Sequence, residues 1–381
     1  MRRETLIELA RAHGMRLPEA FGADWPPRLR GTDERGWFRF QRLYDIARTV
    51  LRKPDDVRRL ISELAQDERA EGSGWLEFQV DPSGYAGMFG GLTPFIELVL
   101  DAAAKAEQAT GVGLGVIVAS NRTRHPLEAR TAARLAAGCA GRGVTGFGLS
   151  NDERRGATVE FAPAFRIAAR AGLMSVPHGG ELEGPASVRA CLDELGADRI
   201  GHGVRSVDDP ALLRRLAAQQ TTLEVCPASN VAMGVAASPA QVPLDRLVDA
   251  GIPVALGADD PLLFGARLTA QYELARGVHG FTDAQLAELA RMSVRGSAAP
   301  SDVQARLLTG IDAWLEAPDP AQGTLTAARC AASSLAQLEL QPDQCRLVGQ
   351  LDAERLAYAG RDLPRQAHHI RRSSAAGVGQ R

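Results

Sequence analysis

The chain has 381 residues, of which 45% are hydrophobic and 24% are charged, and its formal net charge is −2. This composition is typical of a soluble globular protein, and the length allows one large domain or two ordinary ones. The near-neutral charge argues against binding of nucleic acid or of an anionic membrane through bulk electrostatics. No apolar stretch approaches the roughly 20 residues of a membrane span, and the start lacks the hydrophobic core of a signal peptide.

The five cysteines are scattered along the chain, and none forms a Cys-x-x-Cys pair. An odd number of unpaired cysteines argues against a disulfide framework and against a zinc site built from cysteines. We therefore expect a protein of the reducing cytoplasm.

Two helices are predicted before the first strand. Residues 4–13 (ETLIELARAH) and 37–51 (WFRFQRLYDIARTVL) show the apolar spacing of helices. The aromatic side chains of the second segment could form a lid over a site or belong to an ordinary core. Both interpretations remain open from the sequence.

Seven short hydrophobic runs follow, separated by segments with helical patterns. The runs occupy residues 74–80, 112–119, 144–150, 173–178, 199–204, 221–227 and 253–260. Alternating strands and helices, with strands that are hydrophobic almost throughout, predict parallel βαβ units buried on both faces. The predicted fold is α/β, a TIM-like (β/α)8 barrel. A doubly wound open sheet is the alternative, although no Gly-x-Gly-x-x-Gly follows an early strand.

The barrel should be one strand short, because nothing before residue 74 has a strand pattern. We expect the missing first strand to lie upstream of Met1. Residues 281–315 again predict helices, and the pattern then weakens. The sequence therefore predicts a barrel domain over residues 1–316 and a peripheral or disordered tail over residues 317–381.

Polar residues follow several of the predicted strands, at the end where a (β/α)8 barrel assembles its active site. His178 and Glu181 lie in HGGE, His202 lies in IGHG, and Asp259 and Asp260 lie in ADDP. Imidazole and carboxylate groups suit zinc, which lowers the pKa of a bound water to about 7. The structural alternatives are a hydrogen-bonding histidine, a histidine in a tight turn, and aspartate capping a helix that begins with proline.

A further strand end carries Asn121, Arg122 and His125 in NRTRHP. These side chains could contact a substrate. A helix-capping turn explains them equally well.

Four segments, HGGE, ADRIGHGVRSVDDP, LEVCPASN and PVALGADDPLLFG, occur in this order. With them, residues 1–316 resemble the adenosine deaminase family of the amidohydrolase superfamily. The resemblance implies that His178 and Asp259 bind Zn2+, that Glu181 protonates N1 of a purine, and that Asp260 bonds its N7. It also implies that His202 positions the attacking hydroxide.

The reaction implied by the resemblance is zinc-dependent hydrolytic deamination of a small-molecule 6-aminopurine nucleoside. Adenosine is the first expected substrate, and 6-aminodeoxyfutalosine and adenine are related possibilities. Gly257 and Ala258 stand where the family has Asn with Ser or Thr, and Asn151 replaces a common glycine. These departures concern substrate recognition and leave the metal chemistry unchanged. The sequence does not indicate an oligomeric state.

The family's His-x-His pair, which supplies two zinc ligands, has no counterpart among the seven histidines. The pair would fall just before residue 1. We therefore expect the polypeptide as written to bind zinc poorly and to be nearly inactive, whereas an extended form would be active. The adjacent His368 and His369 lie in a polar tail and are not expected to substitute. The alternative is a catalytically impaired nucleoside-binding relative that has lost these ligands.

Overall fold

The structure is a computed structural model that describes residues 1–27, 29 and 34–317. Met1–Ala317 forms one compact unit. Apart from Ala317, the predicted tail lies outside the described residues, as do His368 and His369, so the division at residue 316 stays a prediction.

One parallel sheet of seven strands forms the centre of the fold. The strands are β1 Trp75–Val80, β2 Gly113–Asn121, β3 Val144–Ser150, β4 Met174–Gly179, β5 Arg199–His202, β6 Thr222–Val225 and β7 Val254–Leu256. They lie in sequential order from β1 to β7, and each is parallel to its neighbour. This is a TIM-like (β/α)8 barrel that lacks one strand, as predicted. The doubly wound alternative is wrong, because its strand order reverses within the sheet.

Helices precede, connect and follow the strands. Within the described residues they are α1 Arg3–Ala12, α2 Glu34–Arg48, α3 Pro54–Ala70, α4 Leu92–Thr110, α5 Pro126–Gly138, α6 Ala162–Arg170, α7 Pro185–Leu195, α8 Pro210–Gln219, α9 Pro227–Ala232, α10 Leu244–Asp249, α11 Pro261–Phe264, α12 Leu268–Gly277, α13 Asp283–Arg295 and α14 Ser301–Glu316. The helices predicted at residues 4–13, 37–51 and 281–315 are confirmed, the last as two helices. Helix α3 was not predicted from the sequence.

Helix starts follow from proline and from capping side chains. Several helices begin with Pro, whose fixed φ suits the first turn and whose missing N–H needs no partner there. At α8, the Asp209 carboxylate accepts the N–H groups of Ala211 and Leu212 at 2.9 and 3.1 Å. Such starts set each helix shortly after the preceding strand end. Among the described residues, no helix combines the length and apolarity of a membrane span.

Burial differs between the edge and the interior of the sheet. Eight of the nine residues of β2 are buried, whereas all six residues of β1 are only half-buried. β2 pairs with β1 and β3, and it packs against α4 and α5. β1 pairs with β2 alone among the described strands. The half-buried state of β1 therefore reflects its position at the open edge.

A buried ionic group joins the edge strand to the far side of the barrel. Arg199 of β5 is 5% exposed. Its guanidinium lies 2.5 Å from the Glu77 carboxylate of β1 and 2.9 Å from the Glu224 carboxylate of β6. It also donates a hydrogen bond to the Gly296 carbonyl at 2.9 Å. One cation therefore neutralises two carboxylates and ties three strands together.

Replacing Arg199 by Ala should lower the free energy of unfolding by about 3–5 kcal/mol, because two largely buried carboxylates lose their counter-charge. Chemical denaturation would measure the change. The control is Arg215→Ala, which removes a more exposed ion pair with Asp193 at 2.6 Å and should cost at most about 1 kcal/mol. Equal losses in the two variants would contradict a structural role for the buried group.

Candidate active site

The predicted site residues meet at the carboxyl ends of the strands. The ring centroids of His178, in β4, and His202, at the end of β5, lie 5.1 Å apart. The His202 Nε2 atom lies 3.6 Å from the Glu181 carboxylate and 4.0 Å from the Asp259 carboxylate. Four of the five predicted residues are therefore brought together in one place. Their chemical roles stay predictions.

The fifth predicted residue, Asp260, follows Asp259 directly and occupies the N-cap position of α11. Its carboxylate makes no capping hydrogen bond, so the capping interpretation of ADDP does not account for it. Burial raises the pKa of the Asp260 carboxyl, and the neighbouring Asp259 charge adds to the effect. The pKa rises to about 6, so the Asp260 carboxyl is protonated more readily than an exposed aspartate.

Left-handed backbone marks this rim of the barrel. His202 has φ of 65° and Asp259 has φ of 54°, and Asn151, just after β3, has φ of 81°. A residue with a Cβ atom adopts this region at a cost of about 1–3 kcal/mol, which persists only where the surrounding structure imposes it. Such strain is typical of functional sites.

Burial and neighbouring charges separate the pKa values of the site. Burial lowers the pKa of His178 to about 3, with contributions from His202 and Arg122. Burial raises the pKa of Glu181 to about 7, and the Asp259 charge contributes. At neutral pH, His178 is therefore a neutral imidazole, while Glu181 can both hold and release a proton.

His202 behaves differently from His178. Burial favours its neutral ring, but the carboxylates of Glu181 and Asp259 outweigh burial and raise its pKa. The pKa values of the two adjacent imidazoles are therefore shifted in opposite directions. His178 is suited to bind a cation, and His202 is suited to donate a hydrogen bond.

The donor set of the site fits a zinc ion. His202, Cys226 and Asp259 each offer one ligand atom, and these atoms lie within 4.8 Å of one another. The Nδ1 atoms of His178 and His202 are buried without a hydrogen-bond partner among the described residues, a state that buried polar atoms normally avoid. Imidazole, carboxylate and thiolate groups are zinc ligands, but burial raises the pKa of the Cys226 thiol, so Cys226 would have to lose its proton to take part. The three-donor group does not include His178, whose ring lies beside it.

Sequence reasoning missed Cys226 and Ser229. Both lie in LEVCPASN, a segment that contributes to the family resemblance but by itself indicates no role for either side chain. The Ser229 hydroxyl is buried and donates a hydrogen bond to the Asp259 Oδ2 atom at 2.6 Å. This contact fixes the orientation of the Asp259 carboxylate.

The strand end NRTRHP has mixed roles. The His125 Nδ1 atom accepts the Leu127 N–H at 3.1 Å and so caps α5, which confirms the capping interpretation for this residue. The Asn121 side chain accepts the Thr123 N–H at 2.9 Å. Arg122 instead points inward and donates to the His178 carbonyl at 2.8 Å.

Helix α2 packs against the same rim. The Phe40 ring stacks on Phe264, four residues after Asp260, with centroids 6.0 Å apart. The Asn151 side-chain amide donates to the Gln41 Oε1 atom at 3.0 Å. The aromatic helix therefore contacts the chain after β3 and the chain after β7. Its function as a lid stays a prediction.

The chain is similar to known deaminases in sequence and in fold. A family model described as adenosine deaminase matches residues 1–314. A putative adenosine/adenine deaminase of Streptomyces virginiae is 64% identical over 315 residues, covering 83% of this chain and 93% of the relative. An adenine deaminase of Rhizobium leguminosarum bv. trifolii is 35% identical over 269 residues, covering 71% and 84%. The crystal structure of an adenine deaminase from Arthrobacter aurescens has a TM-score of 0.76 at 28% identity, covering 83% of this chain and 95% of that chain.

In the metal-free protein, replacing Glu181 by Gln should raise the free energy of unfolding above pH 7. The folded-state pKa of about 7 exceeds the ordinary value of 4.5, so the wild type loses stability as the pH rises between these values. The loss levels off above pH 7 at roughly 3 kcal/mol. Denaturant unfolding from pH 4 to 8 would measure it.

The matched control is Glu183→Gln, on the same turn but exposed, which should follow the wild-type curve. Parallel pH curves for the wild type and Glu181→Gln would contradict the raised pKa of Glu181.

Proposed function

Because the chain belongs to the adenosine deaminase family of the amidohydrolase superfamily, and is therefore a hydrolytic deaminase, we propose that it converts a 6-aminopurine to the 6-oxopurine with release of ammonia. We further propose that the reaction depends on zinc. The observation that carries the proposal is the convergence of Glu181, His202 and Asp259 beside a neutral His178.

The residues of the site take different roles in the proposed reaction. His178 and Asp259 would hold zinc, which when bound supplies a water of pKa about 7. His202 lies close enough to both carboxylates to orient the attacking water between them. Ser229 keeps Asp259 in place by hydrogen bonding to its carboxylate.

Glu181 is suited to general acid catalysis, because its pKa of about 7 matches the working pH. Protonation of purine N1 by Glu181 makes C6 electron-poor as the water oxygen attacks it. As it attacks, the water passes one proton to the Asp259 carboxylate, which delivers it to the amino nitrogen. The C6–N bond then breaks, ammonia leaves, and the remaining hydroxyl proton returns to Glu181 as the C6 carbonyl forms.

Asp260 is proposed to recognise N7 of the purine. N7 is a hydrogen-bond acceptor, so a carboxyl group can bond to it only in its protonated form. The raised pKa of about 6 brings that form within reach near neutral pH, so protonating Asp260 for this contact costs little.

The choice between free base and nucleoside rests on the relatives. The Streptomyces virginiae protein is named for both adenosine and adenine, and the Rhizobium leguminosarum protein is named for adenine. We therefore propose adenine as a substrate beside the adenosine expected from the sequence. Gly257 and Ala258, which precede the two aspartates, are the departures that bear on this choice.

Glu181→Gln should lower kcat about 10²- to 10⁴-fold, because glutamine cannot deliver a proton to N1. Ammonia release from adenine, adenosine and 6-aminodeoxyfutalosine would measure it, with zinc content determined for each protein. The exposed Glu183→Gln is the control and should retain wild-type turnover. A zinc-loaded wild type that binds these purines without converting them would instead favour the impaired binding relative.

The adjacent aspartates should separate metal binding from substrate binding. Asp259→Ala should lower zinc affinity by more than about tenfold, since it removes a proposed ligand. Asp260→Ala should keep zinc but lower kcat/KM about 10- to 100-fold through loss of one hydrogen bond to a polar group in a buried site. Elemental analysis and steady-state kinetics would measure both. Equal zinc loss in the two variants would contradict the division of roles.

A further inference from the structure

Glu153, three residues after β3, gathers an unusual number of hydrogen-bond donors. The side chain is buried, with the residue 6% exposed. Its carboxylate accepts four successive backbone N–H groups and one hydroxyl. The donors are the N–H groups of Gly180, Glu181, Leu182 and Glu183 and the Oγ–H of Ser187.

These contacts hold the turn that connects β4 to α7. The N–H groups of Glu181, Leu182 and Glu183 lie 3.0, 2.7 and 2.9 Å from the Glu153 Oε2 atom. Buried N–H groups that belong to neither a sheet nor a helix require partners, and here one carboxylate supplies them. The shape of the turn therefore depends on Glu153.

The backbone of the turn has no space for a side chain at residue 180. Gly180 has φ of 73°, and a Cβ atom there would lie 2.5 Å from the Val188 Cγ2 atom. The turn therefore needs glycine at this position. It carries Glu181 in its centre, three residues from His178.

Arg122 secures the start of the same segment. Its guanidinium donates to the His178 carbonyl at 2.8 Å and to the Glu153 carbonyl at 3.3 Å. The chain from His178 to Glu183 is thus held at its first carbonyl by Arg122 and along its turn by the Glu153 carboxylate.

Glu153 has no capacity for proton transfer, because a carboxylate offers about four acceptor positions and five donors already occupy them. Burial alone would raise the pKa of Glu153, but the hydrogen bonds from the turn and from Ser187 outweigh it and lower the pKa. The group stays ionised and acts through the backbone it binds.

We propose that Glu153 is a positioning residue whose carboxylate shapes the Gly180–Glu183 turn and thereby directs the Glu181 side chain at the purine. The proposal rests on the function proposed above for Glu181. It assigns to Glu153 a role in the rate of the reaction beyond stability of the fold.

The test is Glu153→Gln in the full chain, assayed in excess zinc because the sequence predicts weak zinc binding, and compared with the wild type under the same conditions. The amide keeps the volume of the side chain but turns an acceptor into a donor that faces N–H groups of the turn. We expect kcat to fall about 10- to 100-fold through displacement of Glu181, with KM changed less than about threefold. In a Glu181→Gln background the same change should alter kcat by less than about twofold, because residues that act as a unit are not additive. Independent, multiplicative losses would overturn the proposal.

The matched control is Asp56→Asn. The Asp56 carboxylate is also buried and accepts the backbone N–H groups of Arg52 and Lys53, each at 2.9 Å, but at the start of α3. It should lower the thermal unfolding temperature and leave kcat unchanged. A comparable loss of kcat in this control would mean that Glu153 matters only through stability, and would overturn the proposal.

Backbone hydrogen exchange distinguishes failure of this proposal from failure of the proposed function. Glu153→Gln should increase exchange at Gly180–Glu183 while protection in β2 stays unchanged. Unchanged exchange in the turn would overturn the positioning role whether or not the protein is active. A wild type that deaminates none of the tested purines would overturn the proposed reaction, and exchange in the turn would still decide whether Glu153 shapes it.

Discussion

The site depends on the parallel, sequential order of the strands. Because every strand runs in the same direction, all carboxyl ends lie at one rim, and residues far apart in the chain become neighbours there. His178 and Asp259 lie on strand ends far apart in the chain, with β5 and β6 between them, yet both lie beside His202. The buried ion pairs of Arg199 with Glu77 and Glu224 join β5 to the edge strand β1 and to the interior strand β6. They therefore help to hold the strands in the arrangement that brings the site residues together.

Burial, together with the neighbouring charges and hydrogen bonds, gives side chains of the same type different pKa values. The neighbouring imidazoles of His178 and His202 shift in opposite directions, because carboxylates surround only the second. Glu181 gains a pKa near neutrality from burial, whereas Glu153, also buried, stays ionised because backbone N–H groups bind it. One carboxylate is therefore suited to move a proton and the other to hold the chain that carries it.

Much of the fold was predictable, because hydrophobic runs and helical spacing report local burial. All seven strands were located within a few residues, and the last was shorter than expected because the chain leaves the sheet after Leu256. The predicted site residues were recognisable because each lies at the end of a predicted strand or in the few residues after it. Arg122, Glu153 and Ser229 were not assigned their contacts, since each binds a group distant in the chain and no periodicity marks such a pairing.

By itself, the sequence determined the strand–helix alternation, the seven-strand count and the polar residues at the strand ends, since these follow from local patterns of burial and of Gly and Pro. Only the tertiary structure decided which of those polar residues meet, how burial divides their protonation states, and which buried side chains hold them. These properties depend on the distances between segments that are remote in the chain and on how far each segment shields the others from water. The local spacing of residues in the sequence reports neither.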